Sequence, residues 1–219
     1  MPTKSSYKTN RFVRLSILTT AMLTPCLGCI QFAALLANLQ GGEVIEEEFT
    51  LTEKPLLILI DDPNSLITQP KAIRELHLTI STNFTEWDVN HRIIPLREVQ
   101  RLEQSERNFG KMSIREIGEK LGADQVLYIR VYRFTLEGEP GAPLFKGAFD
   151  VRVKVVSTER TAEVRLWPRE QAGRLVQVST DPTSMGGDKS ATEIASELGI
   201  RLGRRIAAFF YEHRAFDDR

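Results

Sequence analysis

The pattern of hydrophobic and polar positions divides the chain into regular elements. An uninterrupted aliphatic run, "LLILI" at residues 56–60, predicts a strand that is buried on both faces. Regular alternation over residues 144–158 predicts a longer strand with one wet face. The apolar side of that strand carries Phe145, Phe149, Val151, Val153 and Val155, and the polar side carries Lys146, Asp150, Arg152 and Lys154.

Apolar residues at three- and four-residue steps predict two long amphipathic helices. The first covers residues 70–87, and the second follows Ser190 and ends near Tyr211. Their apolar stripes are Ile73, Leu76, Ile80, Phe84 and Trp87 in the first helix, and Ile194, Leu198, Leu202, Ile206 and Phe209 in the second. Each stripe predicts a helix that packs one face against a sheet.

Two helix starts carry a capping-box signature. Ser113 precedes Glu116 by three residues, and Ser190 precedes Glu193 by the same distance. In such a box the hydroxyl and the carboxylate bond the free amide groups of the first turn. Gly122 lies where the end of the first of these helices requires a positive φ.

The order of elements predicts one domain. A short edge strand, a short amphipathic helix and three further strands complete the order β-α-β-α-α-β-β-β-β-α. This order predicts an α/β domain of the α+β type, with a mixed, largely antiparallel sheet packed by helices. The boundaries are a signal peptide or anchor at 1–28, a tether at 29–54, the domain at 55–213 and a tail at 214–219.

The amino terminus has the two-part form of an export signal. Residues 1–28 contain four of the 29 Lys and Arg residues and no acid, so the rest of the chain has 25 basic and 29 acidic residues, a net charge of −4. A basic head before the apolar stretch 15–28 is typical of a signal peptide. Two alternatives remain: an uncleaved spanning helix over residues 15–39, and an ordinary basic terminus.

The two cysteines lie at the end of this apolar stretch. A redox role for Cys26 and Cys29 would need a βαβ context, and two ligands make a poor zinc site. The stretch "LTPCLGC" resembles a bacterial lipobox. The resemblance implies cleavage after Gly28 and acylation of Cys29, which would hold the protein at a membrane in the cell envelope. We expect it to face the periplasm, with the outer membrane favoured over the inner one.

The adjacent acids Asp61 and Asp62 admit two interpretations. At the tip of a buried strand they could hold a metal ion or resemble the acidic pair of a response-regulator receiver. The expected phosphoacceptor is missing further along, and Pro63 prevents the strand from continuing. The favoured interpretation is that they end the strand and order the turn.

Other chemistry finds little support in the sequence. The motifs of serine hydrolases, zinc proteases and nucleotide-binding loops are absent, and His77, His91 and His213 are scattered. Basic residues on the alternating strand are interrupted by Asp150, which does not favour nucleic-acid binding. We predict no enzyme activity, no cofactor and no metal; the alternative is a metal-dependent enzyme that uses Asp61 and Asp62.

A resemblance appears in "SIREIGEKLGADQVLYIRVYRFTLE", residues 113–137. A short helix that ends in L-G-A-D and feeds a long strand is similar to a group of bacterial envelope lipoproteins. The group includes the curli-secretion lipoprotein, the lipoprotein activators of penicillin-binding proteins and the N-terminal domain of the Tol-Pal translocation protein. The resemblance implies a non-enzymatic module that docks with an envelope partner such as a synthase, a secretion pore or a like subunit, and it transfers no catalytic residue. We expect the domain to present a sheet edge or helix face to a protein partner.

Overall fold

A mixed sheet with helices on both faces forms the centre of the fold. The computed structural model describes residues 44–136, 144–145, 147–159, 164–181, 183–184 and 189–215. Its strands are β1 (Val44–Ile45), β2 (Leu56–Asp61), β3 (Ile93–Ile94), β4 (Gln125–Thr135), β5 (Leu144–Phe145), β6 (Ala148–Ser157), β7 (Arg165–Trp167), β8 (Arg174–Ser179), β9 (Thr183–Ser184) and β10 (His213–Arg214). Its helices are α1 (Pro70–Glu86), α2 (Leu96–Ser105), α3 (Ile114–Lys120) and α4 (Ala191–Ala207).

The central sheet has six strands in the order β3-β2-β4-β6-β7, with β8 also paired to β6. Strand β2 runs parallel to β3 and β4, whereas β6 is antiparallel to β4, β7 and β8. The predicted fold class, helices packed on a mixed and largely antiparallel sheet, is therefore confirmed. Strands β5 and β9 form a separate antiparallel pair.

The sequence signals for helix ends correspond to real contacts. Ser113 Oγ accepts a hydrogen bond from the Glu116 amide at 3.2 Å, and the Glu116 carboxylate accepts one from the Ser113 amide at 2.7 Å. Ser190 and Glu193 form the same reciprocal pair at the start of α4. Gly122 adopts a φ of 71°, the left-handed conformation that a helix end favours.

The sheet separates two layers of core. One face packs against α1 and α4 through buried residues that include Ile58, Leu127, Ile129, Val153 and Phe149. On the other face α2 and α3 cover a smaller cluster that includes Leu57, Leu59, Val126 and Val156. Helices α2 and α3 therefore cover only part of that face, and the polar side of β4 and β6 continues beyond them.

Helices α1 and α4 approach each other closely because α4 presents glycine at the contact. A Cβ atom added to Gly199 would lie 2.5 Å from the carbonyl oxygen of Ala72. A Cβ on Gly203 would lie 2.7 Å from the Cβ of Thr79. Side chains at these two positions would force the helices apart.

One irregularity occurs in β4. Val131 pairs with Val151 and Arg133 pairs with Asp150, so the register shifts around Tyr132, which is an extra residue on this strand. Such a bulge lets the strand return to its register after one additional residue. Beyond the bulge, Phe134 again faces the core.

Among the described strands, β8 pairs only with β6. Side chains of α4 donate hydrogen bonds to two of the backbone carbonyls of β8. Arg205 donates a hydrogen bond to the carbonyl oxygen of Gln177 at 2.7 Å, and Arg201 donates to that of Ser179 at 2.9 Å. Carbonyls that already accept from arginine are less open to another strand.

Part of the predicted tether packs on the domain. The Glu48 amide donates to the carbonyl oxygen of Phe209 at 2.8 Å, and Leu51 is buried in the core. The amide and hydroxyl of Thr52 donate to Gln125 Oε1 at 3.1 and 3.0 Å. Folded contacts therefore begin before Pro55, and the described residues 44–213 belong to one compact unit.

Several sequence predictions lie outside the described residues. They concern the apolar segment with Gly28 and Cys29, the turn at 137–143, Lys146 and the last four residues. Among the helices that the structure describes, none is both long enough and apolar enough to cross a membrane.

Candidate functional site

Asp61 and Asp62 lie at the carboxyl end of β2, where each has a separate structural contact. The Tyr128 hydroxyl of β4 donates a hydrogen bond to the Asp61 carboxylate. Burial, followed by the contact with Asp61, raises the pKa of the Tyr128 phenol well above its ordinary value of 10.0. The phenol therefore remains protonated and keeps Asp61 as its acceptor.

Asp62 orders the turn that follows the strand. Its carboxylate accepts hydrogen bonds from the amides of Leu66 at 3.0 Å and Ile67 at 2.8 Å. The Asp62 carbonyl oxygen accepts another from the amide of Ser65, whose φ is 52°. This is the side-chain-to-backbone role that the turn interpretation expects of an aspartate at a strand end.

The histidines make contacts of their own in three other places. His77 is buried on α1, with Nδ1 3.4 Å from Ser81 Oγ, and His91 pairs with Asp88 at 2.6 Å. His213 contacts the carbonyl oxygen of Tyr211. Within the described part of the chain no hydrogen bond joins a histidine to Asp61 or Asp62, and no cluster of three or more His, Cys, Asp or Glu residues is arranged to hold a metal ion.

Beside Asp61 the sheet presents a surface that we call the basic aromatic face. Its members lie on β4, β6 and β7, on the side of the sheet opposite α1 and α4. They are Tyr128, Arg130, Tyr132, Arg152, Lys154 and Arg165. Strand register creates it, because Arg130 is the partner of Arg152 and Tyr128 is the partner of Lys154. Tyr132 is 53% exposed, so the face is open to solvent there.

Cations and rings pack together on the basic aromatic face. The guanidinium carbons of Arg130 and Arg152 lie 5.9 and 5.7 Å from the centre of the Tyr132 ring. The Lys154 ammonium lies 4.9 Å from the centre of the Tyr128 ring. These distances are within the range of cation–π attraction, which fixes long side chains in one arrangement.

The carboxylates near this face have other partners. Asp150 forms an ion pair with Arg133 at 2.9 Å and accepts a hydrogen bond from Gln177 at 3.0 Å, and Asp61 accepts from Tyr128. Among the described residues, no carboxylate forms an ion pair with Arg130, Arg152, Lys154 or Arg165. The face therefore has an excess of positive charge.

The pKa of Lys154 reflects that excess. Burial lowers it first, and the neighbouring charges of Arg165 and Arg130 lower it further. The alternation of the sequence places Arg152 and Lys154 on a wet strand face but does not link them with Arg130 and Tyr132. Alternation in β4 was the available signal, but only the pairing register places the two strands' polar sides together.

Comparison with known proteins gives similarities of fold alone. No protein-family model matches the chain, and no curated protein matches it. The PelC dodecamer structure from Paraburkholderia phytofirmans is 12% identical, with a TM-score of 0.38 over 78% of this chain and 99% of that one. Lipoprotein GNA1162 from Neisseria meningitidis is 13% identical, with a TM-score of 0.41 over 70% of this chain and 98% of that one.

A third solved structure is similar to the same degree. The hypothetical protein CT253 from Chlamydia trachomatis is 15% identical, with a TM-score of 0.42 over 71% of this chain and 94% of that one.

Proposed function

We propose that the protein is a non-enzymatic lipoprotein of the bacterial cell envelope that binds another envelope protein through its basic aromatic face. The observation that carries the binding proposal is the packing of Arg130 and Arg152 against the exposed ring of Tyr132. Tyrosine and arginine, together with tryptophan, are enriched among the residues that contribute most of the binding energy at protein interfaces. Here they project from paired strands, which hold them in place before any partner arrives.

The membrane attachment rests on the amino-terminal sequence. A basic head, an apolar stretch and "LGC" together support cleavage after Gly28 and acylation of Cys29. Two or three acyl chains hold a protein firmly at a membrane, whereas one chain alone does not. The attached domain would face the periplasm, on the outer membrane in preference to the inner one.

The acidic pair supports a binding role over a catalytic one. Asp61 accepts from a buried phenol, and Asp62 accepts from two backbone amides. A calcium site needs six to eight oxygen ligands, as a rough guide, and these two carboxylates already have donors of their own. Asp61 therefore supports the basic aromatic face through Tyr128, and Asp62 orders the turn that follows β2.

Metabolic labelling tests the anchor. Cells that express the wild type, Cys29→Ala or Cys26→Ala are grown with a clickable palmitate analogue, and the purified protein is scanned for the label. We expect label in the wild type and in Cys26→Ala and none in Cys29→Ala. Label in Cys29→Ala would contradict the assignment, and an unlabelled wild type that retains residues 1–28 would establish the single-pass alternative.

Site-specific photo-crosslinking tests the binding face. A photoreactive amino acid replaces Tyr132 in full-length protein in cells, and Thr82, exposed on α1 on the opposite side of the sheet, serves as the matched position. We expect a discrete adduct with an envelope protein from position 132 and none from position 82. Adducts from position 82 alone would place the binding surface on the helical side and overturn the proposal.

A further inference from the structure

We propose that the partner segment bound by the basic aromatic face is an extended, acidic peptide with carboxylates at alternate positions. This rests on the proposed function, which assigns the face to protein binding, and adds the chemistry of the partner. The occupant is defined by charge complementarity, because the face has four cations that no carboxylate of the described chain pairs with.

The guanidinium groups are suited to carboxylates. Arg130 and Arg152 face each other on neighbouring strands and both pack on Tyr132. A guanidinium that packs on a ring by its plane retains the N–H donors around its rim, and these match a carboxylate in a two-bond fork. Arg152 uses one donor on the carbonyl oxygen of Gly173 at 3.1 Å, which fixes its position and leaves further donors.

The spacing of the cations fits an extended chain. Arg152 and Lys154 are two residues apart on β6, so their side chains leave the same face roughly 6–7 Å apart. Carboxylates on alternate residues of an extended peptide have the same separation of about 6–7 Å. Arg130 lies directly opposite Arg152, which places a second cation beside the same point of the peptide.

The mutual repulsion of the cations gives an anionic segment a further advantage. Arg165 and Arg130 lie close enough to lower the pKa of Lys154, in addition to the effect of burial. An approaching carboxylate would offset this repulsion. Asp61, the register partner of Arg130, supplies one negative charge beside the face, and Asp150 pairs with Arg133, so the four cations remain in excess of the carboxylates described there.

A peptide fits this face better than single-stranded nucleic acid does. Proteins hold nucleobases by stacking them on open aromatic rings. Here two guanidinium groups already pack against the Tyr132 ring, and Lys154 packs against Tyr128. The rings thus position cations and are less available to bases.

Fluorescence anisotropy with a defined probe tests the inference. The full-length protein, in a neutral detergent, is titrated into a fluorescein-labelled peptide of alternating Glu and Ala, with a Gln–Ala peptide as the uncharged control. We expect saturable binding of the Glu–Ala peptide alone, weakened about tenfold or more as salt rises from roughly 50 to 300 mM. Equal binding of both peptides, or no binding, would overturn the inference.

Matched variants locate the binding. Arg130→Ala with Arg152→Ala should weaken the Glu–Ala peptide about tenfold or more, whereas Arg107→Ala with Arg204→Ala removes two exposed cations elsewhere and should not. Arg130→Lys with Arg152→Lys keeps the charge but loses the fork, so an intermediate loss of about three- to fivefold is expected. Because these lysine variants preserve the charge and stem of both side chains, they keep the test decisive if the alanine pair unfolds.

The remaining outcomes separate the inference from the proposed function. Heparin or phosphatidylglycerol vesicles that bind through Arg130 and Arg152 where the peptide does not would replace the acidic peptide with another anion. If the probe fails while position 132 still crosslinks an envelope protein, the proposed function stands and the acidic chemistry is wrong. If both fail, the basic aromatic face is not a binding site.

Discussion

The hydroxyl of Tyr128 on β4 donates a hydrogen bond to the carboxylate of Asp61 on β2. This contact joins the end of the first core strand to the edge of the basic aromatic face. The phenol is mostly buried, and its raised pKa keeps it protonated throughout the physiological range. Asp61 is thus a fixed acceptor, which ties the position of β2 to the same strand that carries Arg130 and Tyr132.

Asp62 contributes to stability through the turn that it orders. Asp62→Ala removes the acceptor of the Leu66 and Ile67 amides, and we expect a loss of about 1–2 kcal/mol in the free energy of unfolding. Asp62→Asn retains one oxygen and should lose less. Urea unfolding followed by circular dichroism measures both. Equal stability of Asp62→Ala and the wild type would show that the turn does not depend on this carboxylate.

A metal titration tests the alternative role of the acidic pair. Because Asp61 and Asp62 already have protein donors, magnesium or calcium should not raise the melting temperature of the wild type. The double variant Asp61→Asn with Asp62→Asn should respond in the same way. A metal-dependent rise in the wild type that the double variant lacks would instead identify a cation site at the end of β2.

Close packing of α1 on α4 depends on two glycines. Gly199→Ala and Gly203→Ala each place a methyl group where it overlaps α1, an overpacking that costs about 1–3 kcal/mol. Higher helix propensity offsets about 1 kcal/mol of this. We expect both variants to melt at a lower temperature than the wild type, with the Gly199 variant less stable because its clash is with backbone. Gly110→Ala, which meets nothing within 4 Å, is the control and should melt like the wild type.

Arginine side chains protect the β8 edge from other strands. Arg201→Ala with Arg205→Ala frees the carbonyls of Gln177 and Ser179, and we expect concentration-dependent self-association. Light scattering in detergent over a range of protein concentrations measures it. Arg204→Ala, an exposed position on the same helix, should remain as dispersed as the wild type. Equal association of both variants would assign the effect to lost charge rather than to the edge.

Stability should fall in mild acid because of His77. Burial lowers its pKa from the ordinary value of 6.5, so the unfolded chain binds a proton more readily than the folded one. His77 thus gives its full stabilisation above about pH 6.5, and the stabilisation is lost as the pH falls from there toward the folded pKa. Urea unfolding between roughly pH 7.5 and 5.5 should show a slope of up to about 1.4 kcal/mol per pH unit. His77→Leu should flatten this slope, and an unchanged slope would contradict the explanation.

Local signals in the sequence were sufficient to predict most elements. Of the stripe predicted on α1, Leu76, Ile80 and Phe84 are buried, because a helix must bury its one apolar face. Trp87, at the end of the predicted stripe, is instead 50% exposed and stacks on Tyr211. The two capping boxes form with their expected partners, since each needs only residues three positions apart. These features depend on short sequence distances, which a single chain records directly.

Features that depend on pairing between distant strands could not be predicted in the same way. Arg130 and Arg152 become neighbours only through the register of β4 on β6. The same holds for Thr52, whose contact with Gln125 brings part of the predicted tether into the domain. The polar run Glu46–Glu48 gave no local sign of that packing, because Glu48 bonds Phe209 through its backbone amide and the buried side chain, Leu51, lies after the run.

Because Tyr132 is an extra residue in a bulge, the number of residues in β4 can change at this position without a change in the alignment of the core residues with β6. Tyr132 has no partner of its own on β6, since Val131 and Arg133 pair with consecutive residues of that strand. Loss of this one position would leave Val131, Arg133 and Phe134 opposite their present partners. The chain can therefore gain or lose the ring between the two guanidinium groups without repacking the interior, which makes this position a natural point of divergence in what the sheet face recognises.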